Sequence, residues 1–317
     1  MTNRVAAVIA LALALAPAAA SAAQLKYVAS ARGLLGRVIV VDARAQPACL
    51  AKSVRGAHCL PAADFLGPHG RLASFRQIFW LLGTAGLSAS EHVLVVGDDP
   101  TERDFVAGML YLSGQREVSI LAQPVSKGAG LAPEALGPGT PRAMTRNPVY
   151  QGTVRGADIV LRSELARALA APGAPPLLDG RSDAEYWGER IRAWRGGHLP
   201  GAQSLPIEAA RSELAAGRLA LPVGKHFVVY GHDAFESVAY FTLLEAAGID
   251  ARVLLEGWAD WADHPDLPVA SETYPDRVAK PAVAREPAPW LVPLSVFNLL
   301  AVLLLAGGLA YAWKRKT

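Results

Sequence analysis

The stretch FVVYGHDAFESVAYFTLLEAAG, Phe227 to Gly248, decides the fold. Its apolar start, its short turn and its long apolar run predict a strand, a tight turn and a helix. In a parallel sheet covered by helices, such turns lie at the carboxyl ends of the strands, where ligands bind. The turn GHDAFES, Gly231 to Ser237, is therefore the first candidate site, although it opens with a glycine and not with Cys, Ser or Lys.

The rest of the chain contains a second copy of this unit. HVLVVGDDPTERDFVAGMLYLSG, His92 to Gly114, aligns without gaps onto the opening stretch, so that Gly97 matches Gly231. VIVVDAR (38–44) likewise matches PPLLDGR (175–181), and VRGAHCLP (54–61) matches LPGAQSLP (199–206). Three matching blocks in the same order indicate an internal duplication. Strands alternate with helical patterns in both copies, which predicts two parallel sheets flanked by helices.

The two ends of the chain have targeting patterns. Arg4 precedes the apolar run 5–16, and Ala20-Ser21-Ala22 fits a cleavage site, which is typical of a signal peptide. Near the other end, 290–313 carries no charged side chain, is bracketed by tryptophans and is followed by Lys-Arg-Lys. That length and those flanks predict a membrane span with its basic end in the cytoplasm. We therefore expect an exported body, in the periplasm, anchored to the inner membrane.

Composition narrows the choice of partners. The formal net charge is only +3, and part of it belongs to the basic cluster at the end of the chain. No stripe of Lys and Arg interleaved with aromatic residues occurs in the body, so nucleic acid is not expected as a partner. The sequence also contains no hydrolase, zinc-protease or nucleotide-loop motif, and no cofactor is expected.

The chain has two cysteines, Cys49 and Cys59. In an oxidising compartment they could pair, but the spacing alone does not decide between a disulfide and two buried thiols. Neither is placed where a helix N-terminus would activate a thiolate.

The ordered blocks resemble the rhodanese family, in particular the tandem thiosulfate or mercaptopyruvate sulfurtransferases. The second copy carries the better match, through Asp179, Arg181, GGHLPGAQSLP (196–206) and LLEGWADW (254–261). The first copy keeps Asp42, Arg44, GAHCLP and LVVGDD but lacks the Gly-Trp block. The resemblance implies a turn whose backbone N–H groups surround a cysteine persulfide and whose arginines hold an anionic substrate.

This sequence departs from that pattern in both copies. The resemblance places Gly231 and Gly97 at the cysteine position, Glu236 at the arginine position of the turn and Glu185 at a further arginine position. Carboxylates there would repel an anion. We therefore expect no catalytic residue in either turn, and a pseudoenzyme that acts as a binding or scaffold module for a protein partner.

Both turns share the pattern Gly-x-Asp-x-x-Glu, which has a structural interpretation. Asp99 and Asp233 would cap the following helices, and Glu102 and Glu236 would reach back to complete capping boxes. Two functional alternatives stay open: a divalent cation held by His232, Asp233 and Glu236, and a sulfur carrier that uses Cys49 or Cys59.

The predicted fold is α/β, with two tandem rhodanese-like domains and a C-terminal transmembrane helix. The active-site-like loop consists of Gly231, His232, Asp233, Ala234, Phe235, Glu236 and Ser237. The predicted segments are a signal peptide (1–22), a degenerate first domain (25–130), a linker (131–155), a second domain (156–269), a Pro-rich stalk (270–289), a transmembrane helix (290–313) and a cytoplasmic tail (314–317).

Overall fold

In the computed structural model, residues 25–222 and 226–271 are described. The predicted signal peptide, transmembrane helix and cytoplasmic tail, and nearly all of the stalk, lie outside these residues. Within the described ranges no helix is long and apolar enough to cross a membrane.

The first half builds a sheet of five parallel strands in the order β1-β6-β5-β2-β4. Its strand β5 runs directly into the first turn, and the long helix α3 follows that turn. The elements of this half are β1 (Leu25–Val28), β2 (Ile39–Asp42), α1 (Gln46–Ala51), β3 (Ser53–Val54), β4 (His58–Cys59), α2 (Phe75–Thr84), β5 (His92–Val96), α3 (Pro100–Leu112) and β6 (Glu117–Leu121).

The second half builds another five-stranded parallel sheet, in the order β10-β9-β11-β12-β8. Strand β11 runs into the second turn and helix α7 follows it. The elements are β8 (Ile159–Val160), α4 (Arg162–Leu169), β9 (Leu177–Asp179), α5 (Asp183–Tyr186), β10 (Ala202–Ser204), α6 (Ile207–Ala215), β11 (Phe227–Tyr230), α7 (Ala234–Glu245), β12 (Ala251–Leu254) and α8 (Gly257–Ala262).

The internal duplication holds at the level of topology. Strands β2, β4, β5 and β6 correspond in sequence to β9, β10, β11 and β12, and the two sheets place corresponding strands in the same order. Each half is therefore a parallel sheet flanked by helices, as the repeated blocks predict.

Helices α3 and α7, one from each half, pack against each other between the two sheets. Gly108 of α3 provides the close approach, because a Cβ atom there would clash with the Thr242 and Val238 side chains of α7. Gly108 and Thr242 are equivalent positions in the two copies. Most of α7 is buried because it lies between its own sheet and α3, which explains its apolar sequence on every face.

The segment between the halves packs on the first half. Strand β7 (Leu136–Gly137) pairs antiparallel with β3, and Tyr150 is buried in the core that both halves share. The predicted linker therefore contributes to the fold of the first half instead of serving only as a tether.

Candidate functional site

The second turn lies at the carboxyl edge of its sheet, as the strand–turn–helix pattern predicts. Strand β11 ends at Tyr230 and α7 begins at Ala234, so only three residues separate the strand from the helix, and the rest of the loop GHDAFES forms the first turn of α7. Its neighbour β9 ends at Asp179, directly opposite Tyr230. This is the edge at which α/β folds bind ligands.

Three backbone N–H groups of this loop donate hydrogen bonds to side chains of the same loop. Gly231 N–H donates to Ser237 Oγ (2.9 Å), and His232 N–H donates to the Glu236 carboxylate (3.0 Å). The Glu236 N–H donates to Asp233 Oδ1 (3.0 Å), which makes Asp233 the N-cap of α7. The capping-box prediction is wrong in one respect: Glu236 reaches back one residue further than the cap, to His232. One carboxylate oxygen of Glu236 therefore occupies the position next to the His232 N–H.

The Gly-Trp block closes the turn from the other side. The backbone N–H groups of Trp258 and Ala259, in the first turn of α8, donate to the carbonyl oxygens of Gly231 and His232 (3.0 and 2.7 Å). Gly257 has φ +66°, and a Cβ there would lie 2.9 Å from the Gly231 carbonyl oxygen. A glycine before Trp258 is therefore required for α8 to approach the turn this closely.

Gly231 has no room for a side chain in this conformation. A Cβ atom would lie 2.6 Å from Glu236 Cβ, 2.7 Å from Glu236 C and 2.8 Å from Ser237 N. Two of these three atoms belong to the backbone, so a larger residue would have to displace the start of α7.

A cation that the sequence analysis did not identify lies over the turn. Arg192 Nη1 is 2.8 Å from Glu236 Oε1 and 3.3 Å from Glu185 Oε1. Burial acts to lower the pKa of Arg192, but the two carboxylates outweigh it and raise the pKa. The charges of Glu185 and Glu236 are thus partly neutralised, and the repulsion of anions is weaker than the two carboxylates alone would predict. Arg192 lies outside every motif block. The only feature of the sequence that could have indicated it is the arginine-rich segment ERIRAWR (189–195).

His232 is buried beside this cluster. Burial, joined by the neighbouring Arg192 charge, lowers the pKa of His232, so the ring is neutral at pH 7. Its Nδ1 is 3.6 Å from Glu185 Oε1, which is too long for a hydrogen bond, and it has no other partner among the described residues.

The Asp-x-Arg pair of the second half is buried beneath the turn. Arg181 Nη2 donates to Asp179 Oδ2 (2.5 Å) and to the Gly197 carbonyl oxygen (2.7 Å), and its guanidinium lies 4.5 Å from the centre of the Trp258 ring. Trp261 is buried, and His198 stacks on Tyr186. Both are packing residues.

The first turn repeats the backbone pattern with a different charge network. Asp99 caps α3 by accepting the N–H groups of Thr101 and Glu102 (2.8 Å each). No return bond from Glu102 is present in the described part of the chain, so the capping-box prediction is wrong here as well. Asp98, in the place of His232, pairs with Arg44 (3.2 Å) and accepts the Ser126 N–H (2.7 Å). Burial acts to raise the pKa of Asp98, but these partners outweigh it and lower the pKa.

Comparison with known proteins agrees with this architecture. A family model described as rhodanese-like domain matches residues 161–264, which include β11, the second turn and the Gly-Trp block. Thiosulfate sulfurtransferase of Azotobacter vinelandii is 32% identical over 106 residues, which cover 29% of this chain and 39% of that enzyme. A crystal structure titled probable thiosulfate sulfurtransferase is 26% identical with a TM-score of 0.54, and the match covers 74% of this chain and 98% of that one. The chain is a tandem rhodanese-like protein. It is similar to thiosulfate sulfurtransferases.

More distant structures share the fold of this rhodanese-like protein. YnjE matches with a TM-score of 0.60 at 19% identity, over 75% of this chain and 63% of its own, and wild-type EanB matches with a TM-score of 0.57 at 18% identity, over 74% and 63%. The match thus spans less than two thirds of the length of these two proteins and of the Azotobacter enzyme.

The cysteines of the rhodanese-like protein form a disulfide, Cys49 to Cys59, which links α1 to β4. Both residues are fully buried, and a Cβ on Gly139 of the linker would clash with both sulfur atoms. The linker therefore covers the disulfide.

The cation alternative has no geometric support in residues 25–222 and 226–271. No group of three His, Cys, Asp or Glu side chains in these ranges is close enough to hold a metal ion. Asp233 and Glu236 are instead engaged by backbone N–H groups, and Glu236 also by Arg192.

Proposed function

We propose that this protein is an exported, membrane-anchored rhodanese-like module that binds a partner without covalent sulfur transfer. The observation that carries the proposal is the interior of the second turn. The Glu236 carboxylate accepts the His232 N–H, and a Cβ at Gly231 has no space. A persulfide requires both a sulfur atom at this position and free N–H groups around it.

Two further observations support the absence of sulfur transfer. The two cysteine sulfur atoms of the chain are joined in a buried disulfide, so neither is a thiolate that could accept sulfane sulfur. The carboxylates of Glu185 and Glu236 lie where an anionic substrate would approach, and the one cation over the turn among the described residues, Arg192, is already paired with both.

The test is sulfur transfer from thiosulfate to cyanide by the full-length protein in detergent. We expect no thiocyanate above the uncatalysed rate, while Azotobacter thiosulfate sulfurtransferase assayed in parallel serves as the positive control. Mass spectrometry after thiosulfate treatment should show no gain of a sulfur atom. Turnover that disappears in Cys59→Ser would establish the sulfur-carrier alternative and reject the proposal.

The binding role is tested separately, by purifying the tethered protein from membranes. Its partner should co-purify with the wild-type protein and be lost when side chains of the second turn are substituted. Export and anchoring are tested by the accessibility of the body to protease added outside the cytoplasmic membrane.

A further inference from the structure

A cleft between the two domains opens beside the second turn. Its volume is about 680 Å³, and Phe235, Ile207 and Pro206 supply an apolar wall. Asp99, Thr101 and Glu102 of the first domain line the opposite side. A cleft of this size at a domain interface suits a small ligand or a single extended side chain with its backbone.

The cleft carries an excess of negative charge. Six carboxylates line it against two guanidinium groups. Both guanidinium groups are already paired, Arg181 with Asp179 and Arg192 with Glu185 and Glu236. The uncompensated field in the cleft is therefore negative and favours a cation.

Two of these carboxylates, Glu102 and Glu208, have no ion-pair or side-chain hydrogen-bond partner in the described part of the chain, and they belong to different domains. Burial, with repulsion from Asp99 and Asp98, raises the pKa of Glu102. A bound cation would relieve that repulsion.

Arg181 supplies an independent polar contact. The residue is only 3% exposed, yet it lines the cleft. Its Nε and Nη2 donate to Asp179 and to the Gly197 carbonyl oxygen, whereas Nη1 donates to no described residue. An acceptor oxygen of a ligand in the cleft would give Nη1 the partner that it lacks among the described residues. Because Asp179 already neutralises Arg181, a neutral carbonyl oxygen fits better than an anion.

We propose that the interdomain cleft binds an alkylammonium ligand that carries a carbonyl oxygen, the chemistry of a lysine residue. The ammonium group lies between Glu102 and Glu208, the methylene chain lies on the Phe235 wall, and the carbonyl oxygen accepts from Arg181 Nη1. The inference rests on the proposed function, since it names the ligand class of a non-catalytic cleft. The cleft would prefer a cation, whereas binding of thiosulfate would require a preference for an anion.

The test is calorimetric titration of the full-length protein with Nα-acetyl-lysine methylamide, which represents a peptide side chain, and with free lysinamide, which represents a small metabolite. Tighter binding of one or the other identifies the source of the ligand. The norleucine analogue of the blocked probe lacks only the ammonium group and should bind at least about tenfold more weakly. Thiosulfate should not compete, and affinity for the lysine probes should fall as salt rises.

The double variant Glu102→Gln/Glu208→Gln should bind the lysine probe about tenfold more weakly or worse, while the matched variant Glu213→Gln should keep the wild-type affinity. Glu213 lies on α6 like Glu208, but pairs with Arg218 outside the cleft. Because Glu102 and Glu208 have no partners to lose, the melting temperature of the double variant should stay near that of the wild type.

Equal binding of the lysine and norleucine probes, no binding of either lysine probe, or unchanged affinity in the double variant would overturn the inference. These outcomes leave the absence of sulfur transfer intact, whereas thiocyanate production would reject the proposed function whichever probe binds.

Discussion

The two turns of this protein share one sequence pattern, Gly-x-Asp-x-x-Glu, and nevertheless have different interiors. In the first turn Asp98 is bound by Arg44 and the Ser126 N–H, and Glu102 faces the cleft. In the second turn Glu236 folds inward to the His232 N–H. A repeated motif thus determines the backbone path and the helix cap, while side chains from elsewhere in each domain determine what fills the turn.

The difference is explained by where the nearby cations are anchored. Arg44, two residues after β2, pairs with Asp42 and also with Asp98, so the first turn is linked to its own Asp-x-Arg pair. Its counterpart Arg181 pairs with Asp179 in the same way, but its other contacts are with the Gly197 carbonyl oxygen and the Trp258 ring, and none is with a side chain of the second turn among the described residues. The second turn therefore depends on Arg192, which lies on a separate segment.

Removal of Arg44 or of Arg192 should give the largest difference in stability between the two turns. Arg44→Met leaves the fully buried Asp42 without its guanidinium and should lower the free energy of unfolding by about 3 kcal/mol. Arg192→Met acts on a pair that is a third exposed and should cost about 1 kcal/mol. Urea denaturation measures both, and equal losses would contradict the view that the cation of the first turn belongs to a buried ion pair whereas Arg192, the cation of the second turn, is partly exposed.

Cysteine at the two equivalent glycines should give the second largest difference in stability between the turns. Gly231→Cys should lower the free energy of unfolding by about 2 kcal/mol, because its Cβ would overlap backbone atoms at the start of α7. Gly97→Cys should cost less, since the nearest atom is the Arg103 Cβ at 3.3 Å. Neither variant should produce thiocyanate from thiosulfate and cyanide. Strong turnover by Gly231→Cys would show that the charge reversal at Glu236 matters less than inferred.

The helix caps should give the smallest difference. Asp99→Ala and Asp233→Ala should each lower the free energy of unfolding by about 1 kcal/mol, with the larger loss at Asp99, which accepts two N–H groups where Asp233 accepts one. The Asn variants serve as controls, because asparagine also caps helices. An unchanged melting temperature in Asp233→Ala would contradict its role as a cap.

Much of this architecture could be predicted because the evidence is local or repeated. Apolar runs before each turn specify buried strands, and Asp before each helix specifies a cap. The common order of Asp-x-Arg, Gly-Ala-x-x-Leu-Pro and strand–turn–helix blocks predicted two copies of one sheet, and the strand orders agree.

The prediction failed where a contact joins distant residues. Arg192 is 44 residues from Glu236, so no motif indicated their ion pair. The capping-box expectation failed for a related reason. Glu236 could reach either the Asp233 or the His232 N–H, and the choice depends on how Arg192 and α8 surround the turn.

The sequence by itself determined two duplicated parallel sheets, the positions of the turns and the glycine that begins each turn, because these follow from periodicity, helix capping and repetition. Only the tertiary structure decided that Glu236 accepts the His232 N–H, that Gly231 has no space for a side chain and that Glu102 and Glu208 line one cleft. The first two features depend on the path of the backbone from the turn into α7, and the cleft depends on the packing of the two halves along α3 and α7. No sequence motif encodes these contacts.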